Sequence, residues 1–288
     1  MPDPCADEVA AIAGEAQLVA AAVAVHDFSS GLDWNVEGDR WFHAASTIKV
    51  AVLMALAAAV ADGRFQLASR LAVRNRFLSA ADGSPFRIAA GRDANADVHA
   101  HIGRTMRVDE LALHMIATSS NLATNLLVDL VGVDYARGVL AKAGVDGVDL
   151  RRGVEDEKAL GAGIINRATA RGLVQLFRAI QEERIGQQGT AWMLHVLRQQ
   201  AFTNGIPAGL PDSVRGQATV ANKTGEISNM SHDAGLVFLP DETVYAVAVL
   251  TETPDGMAPT QQTVARLARV TYDQVMASRI AARQTANE

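Results

Sequence analysis

His43-Ala-Ala-Ser-Thr-Ile-Lys-Val-Ala-Val-Leu-Met-Ala-Leu-Ala, residues 43–57, places a serine and a lysine three residues apart at the front of a long apolar run. Read as a helix over 46–61, the run puts Ser46 and Lys49 one turn apart on a single face. Leu53, Leu56 and Val60 continue that face, which marks it as the buried one. A lysine pointed inward among aliphatic side chains is costly to keep charged, so its proton affinity falls. A lysine nudged toward neutrality beside a hydroxyl can act as the general base that makes serine a nucleophile. The plain structural alternative is that Ser46 only caps the helix and Lys49 only snorkels its charge to solvent.

The rest of the chain is read outward from this helix. Toward the N-terminus, residues 7–16 form a short helix and Val19–Phe28 a strand ended by the turn signal Ser29-Ser30-Gly31. Leu32–Val36 is its hairpin partner. Beyond the apolar helix, helical patterns dominate to about residue 200, with no convincing strand. The period then changes: Thr219–Asn222, Ala234–Leu239 and Thr243–Thr251 read as strands, with a hairpin turn at Pro240-Asp241-Glu242. Pro259 starts a final helix through Arg279, with Val264, Leu267, Val270, Val275 and Ile280 as its apolar stripe. The expected class is α+β: an antiparallel sheet formed by the N- and C-terminal segments and covered by terminal helices, with an inserted all-helical lobe. The sheet lobe takes residues 1–44 plus 202–288, and the helical lobe residues 45–201.

Composition excludes several functions. A net charge of −6 without a basic block argues against nucleic acid as a partner. One cysteine, Cys5, rules out an intrachain disulfide and a cysteine-built zinc site. Asp62 and Gly63 close the longest apolar run well short of a membrane span. The first residues lack the pattern of a signal peptide, so the chain is either cytoplasmic or, with a leader removed, periplasmic or secreted. Lysine is scarce: Lys49, Lys142, Lys158 and Lys223 are the only four among 26 basic residues. A lysine in an apolar or small-residue stretch is therefore less readily taken as surface decoration.

Three further stretches carry polar chemistry. In His114–Leu127, Ser119, Ser120 and Asn121 interrupt two apolar helical runs and form a capped junction. A hydroxyl and an amide there can also relay a proton and hold a substrate amide. Ala221-Asn-Lys-Thr-Gly-Glu, residues 221–226, stands at the end of a predicted strand. Lys223 and Thr224 offer a charge and a hydroxyl to a carboxylate, and Gly225 lets a ligand backbone approach; a simple strand-end turn is the alternative. The polar segment 74–104 is a long loop that borders a cleft, and within it His99-Ala-His101 reads as two solvated histidines in preference to a metal site.

In this order, Ser46-x-x-Lys49, Ser119-Ser-Asn121 and Lys223-Thr-Gly225 follow the Ser-x-x-Lys, Ser-Asp-Asn, Lys-Thr-Gly pattern. From about Ala20 to Ala277 the chain resembles class A β-lactamases and the related penicillin-binding serine hydrolases. The resemblance implies that Ser46 attacks a lactam carbonyl and forms an acyl-enzyme, and that Ser119 passes the proton to the leaving nitrogen. Lys49 and an acid on the loop Arg151–Gly161 are the implied bases. Glu155 takes the position of the acid whose water clears the acyl-enzyme, with Glu157 as substitute. It further implies an oxyanion hole from the backbone N–H groups of Ser46 and Glu226, a carboxylate site at Lys223 and Thr224 beside Gly225, and Asn121 on the substrate's side-chain amide. No cofactor or metal is called for, the partner is a small-molecule lactam or related ester or amide, and a monomer is expected. The departures are Ser120 for the aspartate of the second motif, Asp156 for a proline, Ala159 for an asparagine that helps hold the water, and no arginine near Tyr245. A related esterase or peptidase, a slowly deacylating penicillin-binding enzyme and a non-catalytic lactam sensor are the competing readings.

Overall fold

The computed structural model describes residues 3–94, 96–258 and 260–285. Five antiparallel strands form its main sheet: β1 (Ala20–Asp27), β2 (Asp33–Val36), β3 (Thr219–Ile227), β4 (Met230–Phe238) and β5 (Val244–Glu252). Their spatial order is β3-β4-β5-β1-β2, so a strand from the start of the chain is built onto the edge of a C-terminal meander. The join is long and in register, from Ala20 opposite Glu252 to Asp27 opposite Tyr245.

Side-chain size sorts the two faces of this sheet. Along β1, Val23 and Val25 point to one side and Ala22 and Ala24 to the other, as the two-residue period requires. The valines, with Val237, Val247 and Val249, pack against Val9 and Ile12 of the first helix (Pro4–Glu15) and against the last helix (Gln261–Thr285). Val264, Leu267, Val270 and Val275 of the expected stripe are buried there, while Ile280 is exposed. The alanines, joined by Ala234, Ala246 and Ala248, let the helix Ala170–Gln181 and the body of the helical segment come close on the opposite face. Pro259, the expected start of the last helix, lies outside the described residues.

The apolar run that begins at Lys49 is the centre of that body. It is α-helical over Lys49–Ala61, and from Lys49 to Ala57 every residue is buried. Helices Asn121–Val131, Val133–Lys142 and Gln187–Leu197 pack around it. The expectation of one buried face is thereby corrected, since a helix apolar all round is enclosed all round. Val60, counted on the buried face, is only half-buried. Ser46 is also not in the α-helix: residues Ala45–Ile48 form a tighter 3₁₀ turn that leads into it.

Short ladders fasten the helical segment. Phe42–His43 and Val148–Asp149 both pair with Arg167–Ala168. Arg70–Ala72 pairs with Thr105–Arg107, and Phe77–Leu78 with Pro85–Phe86. Strands of two or three residues have no readable period, which is why the sequence pattern passes over them. Among the described residues no helix is long and apolar enough to cross a membrane.

Candidate active site

The turn carrying Ser46 is held from both sides. Ala45 enters it at φ +46°, an unusual value for a residue with a side chain, and its N–H donates to His43 Nδ1 at 3.0 Å. The carbonyl of His43 accepts from His232 Nε2 on β4 at 3.0 Å, while His232 Nδ1 accepts from the N–H of Thr251 at 3.2 Å. That pair of bonds makes His232 the neutral Nε2–H tautomer. Burial pushes its pKa down to about 4, which keeps it neutral. Neither histidine stands out in the sequence; only the folding of β4 against residue 43 brings them together.

On the other side of the turn lies Gly225. A β-carbon there would stand 2.9 Å from Ser46 N and 3.1 Å from both Ala45 Cβ and Thr47 N. In place of the ligand backbone expected at this glycine, the backbone that approaches in the structure is that of the Ser46 turn. Lys223, Thr224 and Gly225 also lie inside β3, which runs on to Ile227, and not at a strand end.

Lys49 begins the apolar helix with no exposed surface. Its Nζ donates to the Ser119 carbonyl at 2.7 Å, to Ser119 Oγ at 3.1 Å and to Asn121 Oδ1 at 2.8 Å. Burial, followed by the nearby Lys223, holds its pKa well below the ordinary lysine range; Asp93 and Glu155 act in the opposite direction. Lys223 is equally enclosed, with Nζ 2.9 Å from the Thr224 carbonyl, and burial brings its pKa down to about 7 against the pull of Asp233 and Glu226. Two buried lysines side by side disfavour double protonation.

Ser119 sits between the helices Val108–Ala117 and Asn121–Val131 at φ +58°. A non-glycine residue in that region costs about 1–3 kcal/mol, and such costs gather at functional sites. Ser120, the residue that departs from the motif, N-caps the second helix by accepting from the N–H of Ala123. Its hydroxyl also donates to Asp93 Oδ2 at 3.0 Å.

The acidic loop is hung from that same helix. Asn125, one turn after Asn121, accepts from the N–H of Val154 at 2.7 Å and donates to the Val154 carbonyl at 2.9 Å. Glu155 follows at φ +59°. Its Oε2 accepts from Arg92 Nε at 2.8 Å, and its Oε1 accepts from Asn121 Nδ2 at 3.3 Å and Arg92 Nη2 at 3.4 Å. Asp156 is buried, caps the short helix Glu157–Gly161 and accepts from Ser79 Oγ and the N–H of Ala80, each at 2.8 Å. Glu157, the substitute acid, is exposed, and Ala159 is fully buried.

Ser46, Ser119, Asn121, Thr224 and Glu226 line one cleft of about 300 Å³, together with Arg92, Ala94, Phe202, Asn204 and Gln261. Lys49 joins Ser119 to Asn121, Lys223 backs Thr224, and Glu155 reaches the group through Asn121. Arg92 and Ala94 put the 74–104 segment at the cleft, as expected of a long polar loop. The expectation that His99 is solvated fails: its side chain is nearly enclosed, with Nε2 3.1 Å from Asp93 Oδ2 but out of line for a hydrogen bond. Among the described residues, no cluster of three or more histidine, cysteine, aspartate or glutamate side chains could hold a metal ion.

A family model described as the beta-lactamase enzyme family matches residues 4–275. The structure of PBP-A superposes with a TM-score of 0.79 at 25% identity, covering 95% of this chain and 96% of the other. A mutant of PBP-A in an acyl-enzyme complex with penicillin G gives 0.77 at 25% identity, covering 95% and 97%. A beta-lactamase from Sphaerobacter thermophilus gives 0.77 at 28% identity, covering 96% and 97%. No curated protein matches the chain.

Proposed function

The chain belongs to the beta-lactamase enzyme family and is a β-lactamase-like hydrolase, and from that premise we propose that it opens β-lactams through an acyl-enzyme on Ser46, as a class A enzyme does. The observation that carries this reading is the buried Lys49, its proton affinity lowered, hydrogen-bonded to Ser119 and Asn121 at the cleft that Ser46 lines.

In the proposed first step Ser46 Oγ bonds to the lactam carbonyl carbon as its proton leaves toward Lys49. The negative oxygen is held by the backbone N–H groups of Ser46 and Glu226; loss of one such donor costs on the order of 3 kcal/mol of barrier. The carbonyl–nitrogen bond then breaks, and Ser119, within 3.1 Å of Lys49 Nζ, passes a proton to the ring nitrogen. Lys223 and Thr224 take the substrate carboxylate. Asn121 holds the side-chain amide through its amide group, which must loosen from Lys49, Arg92 or Glu155 to do so.

Deacylation needs a water aimed at the ester by Glu155. Both oxygens of that carboxylate already accept hydrogen bonds, and Ala159 offers no group to hold the water. These observations favour a slow second step, so the enzyme behaves partly as a penicillin-binding protein: a burst of acylation followed by slower turnover. Resistance to lactams would follow only as fast as that step allows.

The test is mass spectrometry after incubation with a penicillin. A single adduct on Ser46 is expected, and none in Ser46→Ala. An adduct on another residue, or none at any concentration in the native protein, overturns the reading.

A further inference from the structure

We propose that Asp93, on the loop that precedes the second motif by some twenty-five residues of chain, is the positioning residue that sets Ser119 and Asn121 on Lys49, supplying the carboxylate that the motif itself lacks at Ser120. The proposal rests on the site reading above for what Ser119 and Asn121 do.

A helix begins with backbone N–H groups that have no partner inside it. In the helix Asn121–Val131 those of Asn121 and Leu122 both donate to Asp93, the second at 3.3 Å to Oδ2, and the Ser120 hydroxyl donates to the same oxygen at 3.0 Å. The Asp93 side chain has no exposed surface. A carboxylate so enclosed is tolerated only where donors surround it, and a helix N-terminus adds a favourable dipole. Asp93 thus holds three consecutive residues, 120 to 122, by one side chain.

What it holds in place is the polar constellation. Asn121 has its N–H on Asp93, its Oδ1 on Lys49 and its Nδ2 on the Arg92 carbonyl and Glu155. Ser119 precedes the clasped residues at a strained φ, and a strained residue keeps its geometry only while its surroundings dictate it. His99 packs against the same carboxylate, with Nε2 3.1 Å from Oδ2, so the segment brings both the carboxylate and part of its cover. Asp93 also lies close enough to Lys49 for its charge to favour the ammonium form.

The experiment is a carboxylate exchange read by the rate of Ser46 acylation with a chromogenic cephalosporin, alongside thermal unfolding. Asp93→Ser should slow acylation on the order of 10²-fold, because an angstrom of misplacement costs about that much. The dissociation constant read from the concentration dependence of acylation, for a carboxylate-bearing substrate without a side-chain amide, should change little, since Lys223 and Thr224 sit on β3. Ser120→Asp alone should also be slow, with two carboxylates forced into one enclosed site. The double variant Asp93→Ser/Ser120→Asp should recover to within about tenfold of native. An Asp93→Ser protein that acylates at the native rate per folded molecule overturns the proposal, as does a double variant no faster than Asp93→Ser. Native protein that never labels at Ser46 defeats the underlying site reading instead, which separates the two failures.

Discussion

Replacing Gly225 by alanine tests whether the contact between β3 and the Ser46 turn sets the acylation rate. The new β-carbon would meet Ser46 N at 2.9 Å, and ordinary contact begins at 3.4 Å, so the turn must retreat by about 0.5 Å. The neighbours are two backbone nitrogens and the Ala45 β-carbon of a turn already at positive φ, with no flexible side chain to swing aside. If an angstrom of misplacement costs about 10²-fold, half of that costs about tenfold, or roughly 1.4 kcal/mol of barrier. Overpacking should also lower stability by about 1–3 kcal/mol. The assay is stopped-flow acylation with a chromogenic cephalosporin, normalised to Ser46 labelling. Gly14→Ala is the control, as nothing lies within 4 Å of a β-carbon there. An acylation rate within about twofold of native in Gly225→Ala would show that this contact does not position the nucleophile.

Glu155→Gln should lengthen the acyl-enzyme lifetime, on the order of 10²-fold for loss of a general base, while Glu157→Gln leaves it unchanged; equal effects from the two would remove the assignment of Glu155. The Lys223 pKa of about 7 predicts that KM for a carboxylate-bearing substrate rises as pH climbs past 7, because the cation that pairs with the carboxylate is lost. Stability should move the other way: the unfolded chain keeps that proton up to the ordinary lysine value of 10.5, so Lys223 makes the folded state more stable as pH rises from about 7 to 10.5. A flat KM profile for the carboxylate substrate across pH 6–9, read against an uncharged analogue, would mean that another group binds it.

Much of this arrangement is legible in the chain. Alternating alanines and valines in β1, the turn at Pro240 and the stripe from Val264 to Val275 declare a sheet built from both ends and covered by helices, because side-chain period follows backbone geometry directly. The Ser46–Lys49 spacing, the polar break at 119–121 and Lys223-Thr-Gly225 mark residues now seen around one cleft, since each is a local pattern out of place in its apolar setting. What the sequence could not reveal depends on contacts between distant segments. Whether Gly225 makes room for a ligand or for the Ser46 turn depends on how β3 meets residues 45–47. That Asp93 accepts from Ser120, that Arg92 grips Glu155, and that His43 and His232 brace the turn are matters of packing across 27, 63 and 189 residues of chain. A single polar residue in a loop carries no period and no spacing, and its meaning comes only from the buried groups that folding sets within about 3 Å of it.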